Sequence, residues 1–335
     1  MFEFDNNIHW LMVLIPALPL AAALLTGALG GRLRDKSYLP ALVATLGSFV
    51  LSLCLATAVY LDLPADGHGP GVRETIATEA KPDGESARPQ FPVVVQLWTW
   101  ARVDDALRQA DGPFTDSRVN HASLDVGVAL RADSLTAIML VMVTLISSLV
   151  VIYSTSYMHG DPGQPRYFAF VSLFVFSMTM LVSASNFLLL YVFWEGVGVC
   201  SYFLIGFWFH KPSASAAGKK AFLVNRVGDV GLALGIFTIW TVFGTLNFHD
   251  VNYVPNDSPT PAAAADVLAV PVEGIESGQL VRGVLGPDRL TGEQPYRKAT
   301  SDFVFMMICF LLLLGACGKS AQFPLHVWLP DAMEG

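Results

Sequence analysis

Seven apolar runs, separated by polar segments of very unequal length, set the outline of the chain. Trp10 to Leu29 carries no charge, and at 1.5 Å rise per residue it matches about one bilayer thickness. Leu39 to Leu61 forms a second run and Ser134 to Met158 a third. From Tyr167 to Phe209 there are 43 residues whose one full charge is Glu195. That is too long for one span of about 20 residues and right for two. The polar interruption Ser183-Ala-Ser-Asn186 is where the fourth and fifth helices turn. Ala221 to Phe243 gives a sixth span, and a seventh begins at Phe303. The pattern predicts an all-α polytopic membrane protein.

Local signals refine this outline. Glu3 and Asp5 stand where a signal peptide would carry basic residues, and the run is long for a signal core, so a retained first span is expected. Pro16 and Pro19 predict a kink in it, tolerable where neighbouring helices re-satisfy the freed carbonyls. Within the polar stretch from Asp62 to Arg131, Asp66 to Pro92 reads as flexible linker. Leu124 to Leu130 alternates as a short strand, which Pro92 to Trp100 is placed to pair with. Trp98, Trp100, Trp208 and Trp240 are expected near span ends as interface anchors.

Composition narrows the function classes. The chain is 53% hydrophobic and 14% charged, against about 25% charged in soluble proteins. A net charge of −8 lacks the basic footprint of a nucleic-acid binder. There is no glycine-rich phosphate loop or dinucleotide fingerprint. The cysteines (Cys54, Cys200, Cys309, Cys317) lie in apolar runs without C-x-x-C spacing, and no two histidines share a helix at i, i+4, so neither a metal nor a nucleotide site is expected in this chain. Basic residues dominate the connections after spans one and five, whereas the two long connections, after spans two and six, are acidic. The positive-inside rule then places the N-terminus outside.

Two intramembrane sites carry the candidate chemistry. Glu195 lies about 14 Å into the fifth helix, near mid-membrane, where a carboxylate needs a partner. Lys319 ends the segment GACGKSAQFPL, in which Pro324 removes an N–H and Gly315 and Gly318 loosen the helix. A discontinuous helix at that depth is tolerated where it lines a wet cavity or is buried in protein. Lys319 either serves an ion path there or snorkels to an interface and anchors the helix. Paired with Glu195, it would form a relay in which a proton is traded as their separation changes. Arg226 and Asp229, three apart on one face of the sixth helix, either neutralise each other or join the path. Gly196, Gly198, Cys200 and Ser201, and Gly231 with Gly235, make small faces for close helix packing.

LLLYVFWEGVGVCSYFLIGFW, KKAFLVNRVGDVG and GACGKSAQFPLHVWLPDAMEG, in this order, closely resemble the antiporter-like family. It includes the L subunit of bacterial NADH:quinone oxidoreductase (respiratory complex I), mitochondrial subunit 5 and the large subunit of multi-subunit cation/proton antiporters. The resemblance implies an antiporter-like bundle, with about seven helices present of a normally fourteen-helix core and a discontinuous seventh. It divides the chain into a helix pair (1–61), an extracytoplasmic loop (62–132) and an incomplete proton-translocation unit (133–335, interrupted by 245–302). Glu195, Lys319, Asp229, Arg226 and Lys220 match positions that the family keeps near its proton path. The resemblance further implies a multi-pass protein of the bacterial cytoplasmic membrane, a non-redox subunit of the translocase. Its partners would be the other membrane-arm subunits, and NADH, FMN, iron–sulfur clusters and quinone would belong to partner subunits and not to this chain. The family's members are about twice as long, so a truncated product or fragment, inactive alone, is expected. A cation/proton antiporter subunit, a hydrogenase-type or bicarbonate-uptake subunit and a non-conducting structural fragment are the alternatives.

Overall fold

A computed structural model describes residues 8–62, 93–108, 121–255, 267–272, 279–281, 283–284 and 302–335. Six helices among them are long and apolar enough to cross a membrane. They are α1 (Ile8–Leu33), α2 (Tyr38–Asp62), α3 (Ser134–Tyr157), α4 (Gln164–Ser183), α5 (Phe187–Ile205) and α6 (Pro212–Phe243). A shorter apolar helix, α7 (Asp302–Lys319), follows. The protein is thus mostly helical, and its large apolar side chains point outward along the spans (Leu24, Val43, Leu135, Ile138, Phe237), as expected where lipid is the solvent. Packing follows chain order from α2 to α3 and from α4 through α7, while α1 lies against both α2 and α4.

Polar side chains inside the bundle bond to backbone carbonyls. Thr45, Ser52, Thr144 and Thr179 each donate to the carbonyl four residues back, at 2.7–2.9 Å. Ser48 does something different. Its hydroxyl crosses from α2 to the carbonyl of Ile15 on α1, 2.8 Å away. In a regular helix that carbonyl would accept from residue 19, but Pro19 has no N–H. The neighbouring helix therefore supplies the donor that the proline removed. Ser48→Ala, at a site 0% exposed, is expected to cost about 1–3 kcal/mol, read as a lower thermal unfolding midpoint in detergent. Ser48→Thr should restore most of it, and an unchanged midpoint in the alanine variant would deny the bond any structural weight.

The polar segments add strands to the helices. β1 (Val93–Arg108) and β2 (His121–Ala132) form an antiparallel hairpin with Val93 opposite Ala132 and register shifts near Gln96, Thr99 and Val103. The pairing is that expected from the sequence, over a longer stretch. Val126, Val128 and Leu130 of β2 are buried against the helix ends. Trp98 and Trp100 lie exposed on β1 instead of at span ends, because the strand carries them away from the bundle. A second sheet has β3 (Asp250–Pro255) between parallel β4 (Val267–Val272) and antiparallel β5 (Gln279–Val281). The linker expected from Asp66 to Pro92 lies outside the described residues.

The turn between α4 and α5 falls at Ser183–Asn186, where the polar interruption placed it, and it is sewn in on both sides. Ala184 bridges Leu130 of β2, Asn186 bridges Asn247 beyond α6, and Ser185 N–H donates to the Ala129 carbonyl at 3.2 Å. Asn186 also caps α5 by accepting from Leu189 N–H at 2.7 Å. α6 begins at Pro212, nine residues before the apolar run that predicted it. Proline suits the first helical position because its missing N–H would be unpaired there anyway, so Lys219 and Lys220 belong to the helix and not to the connection.

Candidate functional site

α5 and α6 run antiparallel, and two consecutive residues of α5 reach two residues one turn apart on α6. Glu195, ninth of the nineteen residues of α5, accepts from Arg226 Nη1 at 2.6 Å. Trp194 donates its indole N–H to Asp229 Oδ1 at 2.8 Å. The other Asp229 oxygen, Oδ2, takes Lys319 Nζ from the end of α7 at 3.4 Å. Five side chains from three helices thus form two adjacent ion pairs, with Tyr191 turned to Glu195 from one turn earlier.

The pairing differs from the expected one. Glu195 bonds to Arg226, not to Lys319, and Arg226 and Asp229 do not neutralise each other along their own helix. The reason is axial registry. Glycines at 228, 231 and 235 on α6 bring α7 so close that a methyl at Gly228 would sit 3.1 Å from the Gly318 Cα, which sets the level at which Lys319 arrives. Gly198 completes the seat on α5, since a methyl there would overlap Lys319 Nζ. The small faces read from the sequence as packing devices therefore also place the lysine. Lys319 ends up one helical turn from Glu195 along α5, although bonded to Asp229.

The two pairs are buried to different degrees. Side-chain exposure is 3% for Asp229 and 14% for Lys319, against 21% for Glu195 and 41% for Arg226. Arg226 also lies over the Phe222 ring at 4.9 Å, an arrangement that holds a guanidinium at a half-exposed apolar surface. The inner pair is the one whose charges could least be left alone.

α7 ends at Lys319, directly after Gly318. The chain then turns, with Ala321 in the left-handed region at φ 49°, and residues to Gly335 form turns and a short 3-10 segment (Asp331–Glu334). Among the described residues the helix stops where the sequence placed a break and does not resume. Its last carbonyls find other donors: Gln322 N–H reaches Cys317 O at 2.9 Å, and the Trp328 indole reaches Gly318 O at 3.1 Å. Gly315 and Gly318 lie against α6, while Pro324 lies beyond the helix end. Lys220 is not gathered into the cluster. It pairs with Asp331 at 2.7 Å, both side chains 44% exposed, near the start of α6. Trp194 is the residue that sequence reasoning passed over. Its place next to Glu195 was its one available signal. Among the described residues no group of three or more histidine, cysteine or carboxylate side chains is placed to hold a metal.

Comparison with known proteins bears on the family and the fold. A model described as NADH:quinone oxidoreductase/Mrp antiporter, transmembrane, matches residues 184–272 and 278–335, which include all five site residues. A second, complex I chain 5 N-terminus, matches residues 119–168. A chloroplastic NAD(P)H-quinone oxidoreductase subunit 5 of Chlorokybus atmophyticus is 45% identical over 216 residues, 64% of this chain and 28% of that protein. NADH-quinone oxidoreductase subunit L of Mycobacterium tuberculosis is 40% identical over 231 residues, 69% of this chain and 30% of that protein. The chain thus spans under a third of the length of these curated relatives. Among solved structures, an Mrp complex from a Dietzia species superposes on 97% of this chain and 25% of its own with a TM-score of 0.58 at 19% identity. An archaeal membrane-bound sulfane sulfur reductase superposes on 96% of this chain and 47% of its own with a TM-score of 0.56 at 15% identity. These two likenesses concern the fold: a multi-pass, antiporter-like helical bundle. With two family models covering more than half of its length and its buried ion-pair cluster inside one of them, the chain belongs to the antiporter-like family of complex I subunit L/5 and Mrp antiporter proteins.

Proposed function

We propose that this chain forms part of a proton-translocating membrane-arm subunit of an NADH:quinone oxidoreductase, and that Glu195, Arg226, Asp229 and Lys319 relay the proton. The observation that supports this reading is the double ion pair between α5, α6 and the end of α7, with the Lys319 ammonium on Asp229 and one helical turn from Glu195. Protonation of Asp229 removes the charge that holds Lys319. The freed ammonium, already seated against Gly198 one helical turn from Glu195, can then move towards Glu195, and Glu195 can exchange Arg226 for Lys319. With Asp229 neutral, one carboxylate serves two cations, and Arg226, 41% exposed, is the one whose charge solvent or headgroups can take over.

In this reading the protein adds no redox chemistry. NADH, FMN, iron–sulfur clusters and quinone reside in partner subunits, and the basic connections face the cytoplasm, leaving the N-terminus outside in a bacterial cytoplasmic membrane. A second reading, a subunit of an Mrp-type cation/proton antiporter, is favoured by the family description and by the fold of the Dietzia complex. It assigns the same residues the same task.

Glu195→Gln, Asp229→Asn and Lys319→Ala in the assembled complex test the relay. Each is expected to slow proton uptake into inverted vesicles by roughly a hundredfold, the low end of what positioned acid–base groups contribute, with assembly intact on native gels. Unchanged uptake in all three, with full assembly, would reject the relay and leave a structural role for the cluster. Replacing Na+ in the buffer separates the antiporter reading, whose flux alone should follow the cation.

A further inference from the structure

At the basic end of the bundle, the last turn of α5, the connection to α6 and the first turns of α4 and α6 enclose a groove of about 260 Å³. It is remote from the ion-pair cluster, and its walls are of two kinds. Arg166 and Ser215 give the polar rim, and Phe170, Tyr202, Phe203 and Phe209 are prominent among the aromatic walls. We propose that this groove binds the phosphodiester headgroup of an anionic phospholipid, with an acyl chain laid along the aromatic wall.

Arg166 is built as a presented cation. Its guanidinium lies 4.7 Å from the Phe207 ring centre and 5.0 Å from that of Phe209. One N–H group, on Nη2, donates to the Phe207 carbonyl at 2.8 Å. Arginine has five such donors in a planar fork suited to two phosphate oxygens, and Arg166 forms no salt bridge among the described residues. The nearest acid in sequence, Asp161, is occupied by Gly163 N–H at 2.6 Å and the Trp208 indole at 3.3 Å. The stacking rings therefore fix the cation without neutralising it.

The walls decide the source of the phosphate. Phe170 of α4 and Phe203 of α5 stack with ring centres 4.9 Å apart. Phe203, at the end of α5, is 37% exposed and Phe209, in the connection to α6, 53%. A dissolved phosphate ion would leave this apolar wall uncovered, whereas a phospholipid covers wall and cation together. The groove also lies at the helix ends, where spans meet their connections, on the side where Arg32, Lys36, Arg166, Lys211, Lys219 and Lys220 collect. Basic pockets between helices on that side favour anionic headgroups.

The purified 335-residue chain in detergent, given phosphatidylglycerol or phosphatidylcholine and examined by native mass spectrometry, tests this. Phosphatidylglycerol should be retained about fivefold over phosphatidylcholine, the contribution of one cation at the surface. Arg166→Gln should abolish that preference and Arg166→Lys keep part of it. Ser215→Phe, which fills the groove while leaving the charge, should reduce retention of both lipids. Circular dichroism checks that each variant keeps its helices, and if Arg166→Gln does not fold, Ser215→Phe decides. Equal retention of the two lipids by the unaltered chain, or full retention in the decisive variant, would overturn the proposal. Displacement of phosphatidylglycerol by inorganic phosphate alone would also overturn it, in favour of a free-anion site.

Discussion

Asp229→Leu is expected to destabilise the protein by about 3–5 kcal/mol, the cost of removing one partner from a buried ion pair. The substitution strands the Lys319 ammonium, whose side chain is 14% exposed, and it leaves the Trp194 indole N–H without its acceptor. Lys319→Met alone strands Asp229 in the same way, in a site 3% exposed. The double variant Asp229→Leu/Lys319→Met removes both charges and should recover most of the loss, since a well-packed apolar pair often replaces a buried ion pair at little cost. Chemical or thermal unfolding in detergent of the four proteins gives the coupling directly. Losses that simply add in the double variant would mean that the 3.4 Å contact contributes nothing. The same comparison on Glu195 and Arg226 should give a smaller coupling, because Arg226 is 41% exposed and solvent or headgroups can take over its charge.

Acid should weaken the fold through His249. This residue follows α6, outside the spans, is 7% exposed, and neither ring nitrogen has a hydrogen-bond partner among the described residues. Burial, with a smaller contribution from the Arg131 charge, pushes its pKa down to about 4. The backbone at Gly283 packs against that of His249 so closely that a side chain at Gly283 would overlap it. The unfolded chain holds its proton with an ordinary histidine pKa of about 6.5. Below that value the unfolded state binds a proton that the folded state refuses, so stability is full above about pH 6.5 and declines as the pH falls towards 4. Integrated over that window the loss is about 3 kcal/mol. Arg131, paired with Asp133 at 3.2 Å, is the charge facing the ring, and a protonated His249 would stand beside it as a second cation. His249→Phe should flatten the dependence of the unfolding midpoint on pH between 7 and 4.5. A variant that keeps the full acid sensitivity would assign it to other groups.

Much of the architecture was legible in the chain because the bilayer makes the rules local. A backbone in lipid must satisfy its own hydrogen bonds, so each span announces itself as an apolar run of sufficient length, with few charges. The turn at Ser183–Asn186 and the β1–β2 pairing were equally local, carried by a polar interruption and by alternation. The start of α6 was missed because helix propensity and the N-terminal proline extend a helix beyond its apolar run, and hydropathy is blind to both. Pro19 shows the boundary well. The proline predicted an unpaired carbonyl and a neighbour to satisfy it, but nothing in the sequence identified Ser48 as that neighbour.

The charged cluster divides in the same way. The place of Glu195 and Asp229 within apolar runs, the helix break around Lys319 and the small close-packing faces follow from composition and spacing along single helices, and the sequence alone determined them. Who pairs with whom did not follow, because it depends on how far α5, α6 and α7 slide past one another, and a shift of one turn exchanges every partner. The close contacts at Gly228, Gly231 and Gly315 fix that slide, and only then do Arg226 meet Glu195, Lys319 meet Asp229, Trp194 join the site, and Lys220 fall outside it with Asp331.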